Sequence, residues 1–389
     1  MDVFVMNTPS NIFITCSPEL SDWLLLELKQ LGYPVSSSQP KGVHLQGTLK
    51  DCMKLNLHLR IANRVLWEVA SFQVNNAQDL YQYAKCIEWE QFIPVTGYFF
   101  IDGFVKNKSI RDSRYAMLKL KDAIADRIQS RLGKRPDSGP LRDRICLFIF
   151  WHENECTIYF DTSGETLAKH GYRKMPGTAP LQETLAASLL LATGWQYDEV
   201  LLNPMCGSGT VAIEAAMMAR NIPPALNRTN FGFMHMIGYK EEIWKEMLDT
   251  ARNEILDLQL TILASDIYPP SLEQAKKNAR EAGVHRNISF ETTDFQLINP
   301  PDPPGVVLMN PEYGERMGDV DELKITYRQI GNFMKTKCQG YRGFIFSGNK
   351  ELVKCIGLHS SRKTKFFNAR LECRLLKYEL YEGSKKLKR

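Results

Sequence analysis

Hydrophobic and polar positions change rhythm along this chain of 389 residues. The first part mixes short alternating runs with segments at helical spacing. Asn11-Ile12-Phe13-Ile14-Thr15-Cys16 and Gly42-Val43-His44-Leu45-Gln46-Gly47 suit half-buried strands. Ser17-Pro18-Glu19-Leu20 predicts the opening of a helix that runs to Leu31 and stops at Gly32, and a second helix is predicted from Leu49 to Ile61. Strands and helices continue through Val65 to Phe72 and Gly97 to Phe104. An amphipathic helix is then predicted from Ser113 to Leu132, with Tyr115, Leu118, Ile124 and Ile128 on its apolar side and Gly133 at its end. Strands from Ile145 to Trp151 and Cys156 to Asp161 close this part. Beyond a predicted hinge at Lys174-Met175-Pro176-Gly177-Thr178, helices alternate with apolar strands over Glu183–Thr193, 199–203, 210–220, 260–266, 271–282, 287–291, 305–310, 323–338 and 341–347. That alternation predicts an α/β fold with a parallel, doubly wound sheet. A chain of this length exceeds one ordinary core, so two or three domains are expected, the first a small α+β unit ending at about residue 65.

Composition narrows the class. Apolar residues make up 44% and charged residues 24%, the proportions of a globular protein in water. Met1-Asp2-Val3-Phe4 lacks the basic leader of a secretory signal, and no apolar run is long enough to span a bilayer, so a cytoplasmic location without membrane contact is expected. Nine cysteines without a Cys-x-x-Cys pair argue against a disulfide framework and a zinc ribbon, and no metal is expected. The net charge of +5 hides two basic regions: residues 104–144 hold twelve Lys/Arg against five Asp, and residues 361–389 hold ten against three Glu. Each region is therefore +7, and everything else sums to −9. Such concentration points to phosphate-binding surfaces, although charge runs also form plain solvated faces.

The candidate chemistry gathers at strand ends. Asn203-Pro204-Met205-Cys206-Gly207-Ser208-Gly209-Thr210 joins the apolar run Val200-Leu201-Leu202 to a helix. Gly207 and Gly209 leave room for a ligand, backbone N–H groups at the helix start are free to bind it, and Cys206 lines the turn. The strand from Thr261 ends in Asp266, placed to accept hydrogen bonds from both hydroxyls of a ribose. Asp266 lies 57 residues after Gly209 rather than about 20, so an insertion over Asn221–Gln259 intervenes. The turn lacks the third glycine of a dinucleotide fingerprint, which disfavours NAD, and the Gly-Lys-Ser/Thr of a Walker loop, which excludes that loop. Asp294 is either a partner for an adenine amine or a plain surface acid.

Val306 to Met309 leads into Asn310-Pro311-Glu312-Tyr313. The exocyclic amine of a nucleobase is a poor nucleophile because its lone pair is delocalised into the ring. The Asn310 side-chain oxygen and the Pro311 carbonyl can accept its N–H groups and favour a pyramidal nitrogen. Tyr313 can stack on the base, a contact worth about 1–3 kcal/mol. Rate then comes mainly from in-line alignment with a methyl donor, since positioning contributes roughly 7–11 kcal/mol. The bland reading of Asn-Pro-x-Tyr is a strand-ending turn. Its place after an apolar strand, beside the glycine turn and Asp266, favours methyl transfer to a nucleobase amine.

These segments resemble the THUMP-domain class I methyltransferases. Asn203–Thr210 is similar to that family's (Asp/Asn)-Pro-x-Cys-Gly-Ser-Gly-Thr, and Asn310-Pro-Glu-Tyr-Gly-Glu-Arg316 to its Asn-Pro-Pro-Tyr-Gly-Glu-Arg. Leu57–Val65, Lys169–Arg173, Ala179–Ala186, Leu226–Arg228 and Lys365–Asn368 fit as well, so the resemblance covers nearly the whole chain. The Tyr-Gly-Glu-Arg extension resembles the ribosomal large-subunit branch, in the form with a single methyltransferase domain. The resemblance implies a ferredoxin-like domain over 1–65, a THUMP RNA-binding domain over 66–165 and a Rossmann-like class I methyltransferase domain over 166–389. It implies S-adenosylmethionine seated by Asn203, Cys206, Gly207 and Gly209, with Asp266 at the ribose and Asp294 at the adenine. The implied target is a guanine amine of 23S rRNA held by Asn310, Pro311 and Tyr313, with RNA phosphates on Lys106, Lys108, Arg111, Arg114, Lys119 and Lys121. Asn203 stands where Asp is usual, Tyr268 where an acid is common, and Glu312 replaces the second proline. An outward Glu312 with activity retained is expected. Two alternatives stay open: a DNA adenine amine methyltransferase that flips its base from a duplex, and a non-catalytic RNA-binding assembly factor in which these departures have ended turnover.

Overall fold

The computed structural model describes residues 7–173, 181–314 and 320–381; the hinge expected at Lys174–Thr178, and Glu315 and Arg316 of the second motif, lie outside the described residues. The elements are β1 (Ser10–Cys16), α1 (Ser21–Gln30), β2 (Val35–Gln39), β3 (Gly42–Gly47), α2 (Leu49–His58), β4 (Ala62–Gln73), α3 (Ala77–Cys86), β5 (Tyr98–Lys106), α4 (Ser113–Leu132), β6 (Asp137–Ser138), β7 (Ile145–His152) and β8 (Glu155–Asp161). They continue as α5 (Glu183–Thr193), β9 (Val200–Pro204), α6 (Thr210–Ala219), α7 (Glu241–Asn253), β10 (Ile262–Asp266), α8 (Pro269–Glu281), β11 (Ser289–Thr292), β12 (Gly305–Met309), α9 (Val320–Lys337), β13 (Tyr341–Ser347), α10 (Lys350–Lys354), β14 (Arg362–Asn368) and β15 (Leu371–Glu379). Two compact units result: Met1–Ser17 with Leu24–Leu167 and Pro224–Asn253, and Pro18–Trp23 with Ala168–Pro223 and Glu254–Arg389.

In the first unit an eight-stranded sheet has the order β2-β3-β1-β4-β8-β7-β5-β6. The long β4 joins its halves, pairing antiparallel with β1 and with β8. Helix α1 starts at Ser21 rather than at Ser17, because Glu19 takes a left-handed φ of 67° that no helix accepts. Helix α2 opens on a capping box between Thr48 and Asp51. It ends at His58, short of the expected Ile61, since the carboxylate of Glu27 takes the backbone N–H groups of Arg60 and Ile61. Helix α4 spans its expected range and ends on left-handed Gly133, but its apolar stripe is displaced. The buried positions are Ala116, Leu120, Ala123, Ile124, Ala125 and Ile128, whereas Tyr115 and Leu118 are 51% and 53% exposed. Three alanines carry the close-packed face, and reading the stripe from large side chains alone misplaces its phase.

The inserted segment belongs to this first unit from Pro224 to Asn253. Phe231, Phe233 and Trp244 hold it together, with ring centroids 5.0 to 5.3 Å apart. The diproline Pro223-Pro224 marks its start.

The second unit contains a seven-stranded sheet, β11-β10-β9-β12-β13-β15-β14. From β11 to β13 neighbours run parallel, while β15 is antiparallel to both β13 and β14. Every residue of β9 and β12 is buried, as central parallel strands require. Tyr327, Ile330, Phe333 and Met334 of α9 cluster with Val307, Met309, Ile345 and Leu376. The hairpin β14–β15 lies beyond the alternation read from the sequence and occupies much of the C-terminal basic region. Part of its charge is met within the unit: Lys365 pairs with Glu19 and Glu372, Arg374 with Glu372, and Lys377 with Glu379. This is a Rossmann-like α/β sheet, with its strand order reversing between β9 and β12.

Candidate active site

Ligands on such sheets bind at the carboxyl ends of strands where the order reverses. Asn203 sits there, buried near the end of β9. Its Nδ2 donates to the Leu308 carbonyl of β12 at 2.9 Å, and its Oδ1 has no hydrogen-bond partner among the described residues. The turn that follows is tightly wound, with left-handed φ at Met205 (57°), Gly207 (55°) and Gly209 (79°). The two glycines have different reasons to be small. A Cβ on Gly207 would point into open space, while one on Gly209 would come within 2.8 Å of Ala275 Cβ in α8.

The Asp266 carboxylate is a fixed part of this turn. Its Oδ2 accepts the Gly207 N–H at 2.8 Å and its Oδ1 the Tyr268 N–H at 2.9 Å. The Gly207 N–H is thus already engaged, as are those of Cys206 and Gly209 with the Ser265 and Cys206 carbonyls. Each Asp266 oxygen keeps acceptor capacity for a hydroxyl. Burial, and next the charge of Asp266, push the Cys206 thiol well above its ordinary range, so it serves as a neutral wall. The Thr293 N–H donates to the Asp266 carbonyl at 3.2 Å, which brings Asp294 alongside. Asp294 caps the short turn Phe295–Leu297 through the Gln296 N–H at 2.9 Å and stays partly exposed.

At the end of β12, Asn310 presents a buried Oδ1 with no hydrogen-bond partner among the described residues. Pro311 is buried, Glu312 is exposed and Tyr313 is half-buried. Two asparagines hold Tyr313: Asn368 Nδ2 donates to its hydroxyl at 2.7 Å, and Asn349 Nδ2 to its carbonyl at 3.3 Å. A cleft of about 300 Å³ opens beside the Tyr313 ring, lined also by Gly348, Asn349 and Leu371. Asn349 carried no signal in the sequence, because its partner lies 36 residues away on another strand end. Asn368 belongs to a segment quoted for the resemblance, without a role.

A buried polar network anchors α6, the helix that leaves the glycine turn. His170 Nδ1 and Glu214 Oε1 are 2.7 Å apart, with side chains 1% and 0% exposed. Arg173 donates to Thr210 Oγ1 and to the Leu181 carbonyl, both at 2.8 Å, so one guanidinium ties together the approaches to α5 and α6. Burial raises the carboxyl of Glu183, against the lowering effect of Arg173. A charge buried on α6 is tolerated only with such a partner.

The candidate RNA contacts fall into two groups in the first unit. Lys106, Lys108, Arg111 and Arg114 lie exposed from the end of β5 to the start of α4, and Lys119 and Lys121 lie along α4. Arg114 is bonded to Asp112 at 2.7 Å and Lys121 to Asp122 at 3.2 Å, while the Lys119 ammonium sits 5.8 Å over the Tyr115 ring. Lys106, Lys108 and Arg111 form no ion pair among the described residues.

The second unit therefore has the Rossmann-like fold of class I methyltransferases, with the glycine turn and the segment Asn310–Tyr313 at its switch point. The family model for the RMKL-like methyltransferase domain matches residues 170–377, that for the RlmL ferredoxin-like domain 11–66 and that for the THUMP domain 74–161. The chain belongs to the RMKL-like methyltransferase family, in its ferredoxin-like and THUMP-bearing form. It is 37% identical over 376 residues to the ribosomal RNA large subunit methyltransferase K/L of Psychromonas ingrahamii, covering 95% of this chain and 50% of that protein. The chain spans about half the length of the K/L relatives it matches. A Synechocystis sp. protein named as a candidate RNA methyltransferase is 35% identical over 370 residues, 95% of this chain and 96% of that one. The crystal structure of SMU.472, a candidate methyltransferase complexed with SAH, superposes with a TM-score of 0.88 at 27% identity, covering 97% of this chain and 100% of that chain.

Proposed function

We propose that this chain moves a methyl group from S-adenosylmethionine to the exocyclic amine of a guanine in 23S rRNA, in the cytoplasm. The observation that carries the reading is the buried Oδ1 of Asn310 at the end of a central strand, an acceptor without a donor among the described residues. Leaving a buried acceptor unpaired costs about 1–3 kcal/mol, and a substrate N–H would relieve it. The names of the K/L and Synechocystis relatives support RNA as the substrate class, and the SAH complex of SMU.472 supports the cofactor.

The residues present fit that cofactor. Asn203 Oδ1 is a second buried acceptor at this site without a partner among the described residues, Gly207 leaves open space, and Asp266 has acceptor capacity for ribose hydroxyls. Asp294 would take the adenine amine, and the neutral Cys206 would close the turn. When bound, the cofactor supplies an electrophilic methyl on its sulfonium. Asn310 and the Pro311 carbonyl would hold the amine's N–H groups and sharpen the nitrogen lone pair, while Tyr313, steadied by Asn368 and Asn349, would cover the base. Lys106, Lys108, Arg111, Arg114, Lys119 and Lys121 would hold RNA phosphates.

The test is Asn310→Ala. Methyl incorporation into 23S rRNA, followed by mass spectrometry, should fall about 100-fold or more, the penalty of lost alignment. Calorimetric affinity for S-adenosylhomocysteine should stay within about twofold, since Asn310 is assigned to the base. Wild-type methylation by the variant would overturn the assignment, and methylation of duplex DNA in place of RNA would overturn the substrate class.

A further inference from the structure

The sheet of the first unit carries aromatic rings on a face that the methyl-transfer site does not use. On β5, Phe100, Asp102, Phe104 and Lys106 alternate with the opposite set, which includes fully buried Phe99. Their register partners on β7 are Cys146, Phe148, Phe150 and His152. The other set on β7, Ile145, Leu147, Ile149 and Trp151, is buried, while the even set opens to solvent along the strand, from buried Cys146 through half-buried Phe148 to exposed Phe150 and His152. There Phe104 and Phe150 lie side by side on adjacent strands, with centroids 5.6 Å apart, planes within 20° and exposures of 48% and 41%. Two large rings held together in water contribute little to folding, and such a patch marks a binding surface.

The surroundings say what kind of partner it fits. The Arg142 guanidinium lies 4.6 Å over the Phe100 ring and is fixed by Asp102 at 2.6 Å. Lys106 ends the same face of β5, and exposed Lys108 and Arg111 follow in the loop. Flat apolar rings rimmed by cations match a single-stranded nucleic acid, whose bases stack while its phosphates meet the cations. A double helix hides its base faces from such a surface.

We propose that the open face of β5 and β7 is a stacking platform for unpaired bases of the RNA, centred on Phe104 and Phe150, with Lys106, Lys108 and Arg111 at its phosphates. The proposal rests on the RNA reading above. Its test titrates the full-length protein into a single-stranded RNA oligonucleotide carrying 2-aminopurine, whose emission is quenched on stacking. The double variant Phe104→Leu/Phe150→Leu keeps apolar side chains at exposed positions, with circular dichroism and S-adenosylhomocysteine calorimetry as checks on its fold. Affinity should fall about fivefold or more, the low end for one lost stack, with the quench lost and the salt dependence unchanged. Lys106→Ala/Lys108→Ala should also weaken binding, but with the quench kept at saturation and a shallower salt dependence. If the wild type binds this RNA and the phenylalanine variant binds it equally with the quench intact, the platform is overturned and the RNA reading stands. If the wild type binds no RNA at all, both fall. If the substitutions dissociate a dimer in sedimentation and leave RNA affinity unchanged, the face is a contact between copies of the chain and the platform is overturned.

Discussion

Gly207 and Gly209 stand two positions apart in one turn, and their substitution by alanine separates two physical causes. Both have left-handed φ, so either alanine costs about 1–2 kcal/mol of folding free energy. At Gly207 the new methyl meets open space. Gly207→Ala should therefore unfold at nearly that cost in urea, yet lose more than about tenfold in S-adenosylhomocysteine affinity by calorimetry, because the methyl occupies ligand space. At Gly209 the methyl meets Ala275 Cβ at 2.8 Å, and overpacking adds about 1–3 kcal/mol. Gly209→Ala should be the less stable of the two by that margin. Equal stabilities would remove the packing role of Gly209. Both glycines stand out in the chain as turn residues, but only Ala275, 66 residues away, distinguishes them. The same is true of Asp266: its acidity at a strand end is visible in the sequence, while its bond to the Gly207 N–H is not.

Helices and strands were legible wherever large apolar residues set the period, as in β5, β7, α9 and β13. The alternation failed where small residues or distant partners set the boundary. The stripe of α4 runs through alanines, and α2 stops where Glu27 reaches in from another helix. The end of α2 also carries a pH dependence. Burial, then the positive charges of Lys54 and Arg60, push the His58 imidazole down to about 4 from its ordinary 6.5. Between those values the unfolded chain binds a proton that the folded one refuses. Stability contributed by neutral His58 is thus intact above pH 6.5 and is lost as pH falls toward 4, by up to about 3 kcal/mol. Urea unfolding of wild type and His58→Gln at pH 7 and pH 4.5 should show a smaller loss in the variant. Equal losses would place the acid sensitivity elsewhere.

For the molecule as a whole, each of the two basic regions holds both paired and unpaired cations among the described residues. In β14 and β15 the Lys and Arg side chains at 365, 374 and 377 meet glutamates, whereas Lys106, Lys108 and Arg111 remain unpaired among the described residues. Phosphate binding releases counterions, so RNA affinity should fall steeply with salt. Removing Lys106 and Lys108 should flatten the log–log slope by about 0.7 for each contact, whereas Lys377→Ala should leave it unchanged. An unchanged slope in the first variant would take phosphates away from the β5–α4 loop.

The division of labour between chain and fold follows from the range of the forces involved. Turn conformations, helix periods and the amide–proline–aromatic sequence at residues 310–313 are set by neighbours along the chain, so they could be read from it. Which acceptors stay unpaired in the interior, which face of α4 is buried and which cations keep their charge depend on contacts such as Asn203 to Leu308, 105 residues apart. Those contacts exist only after the central strands have paired, because burial removes the water that would otherwise satisfy every polar group alike.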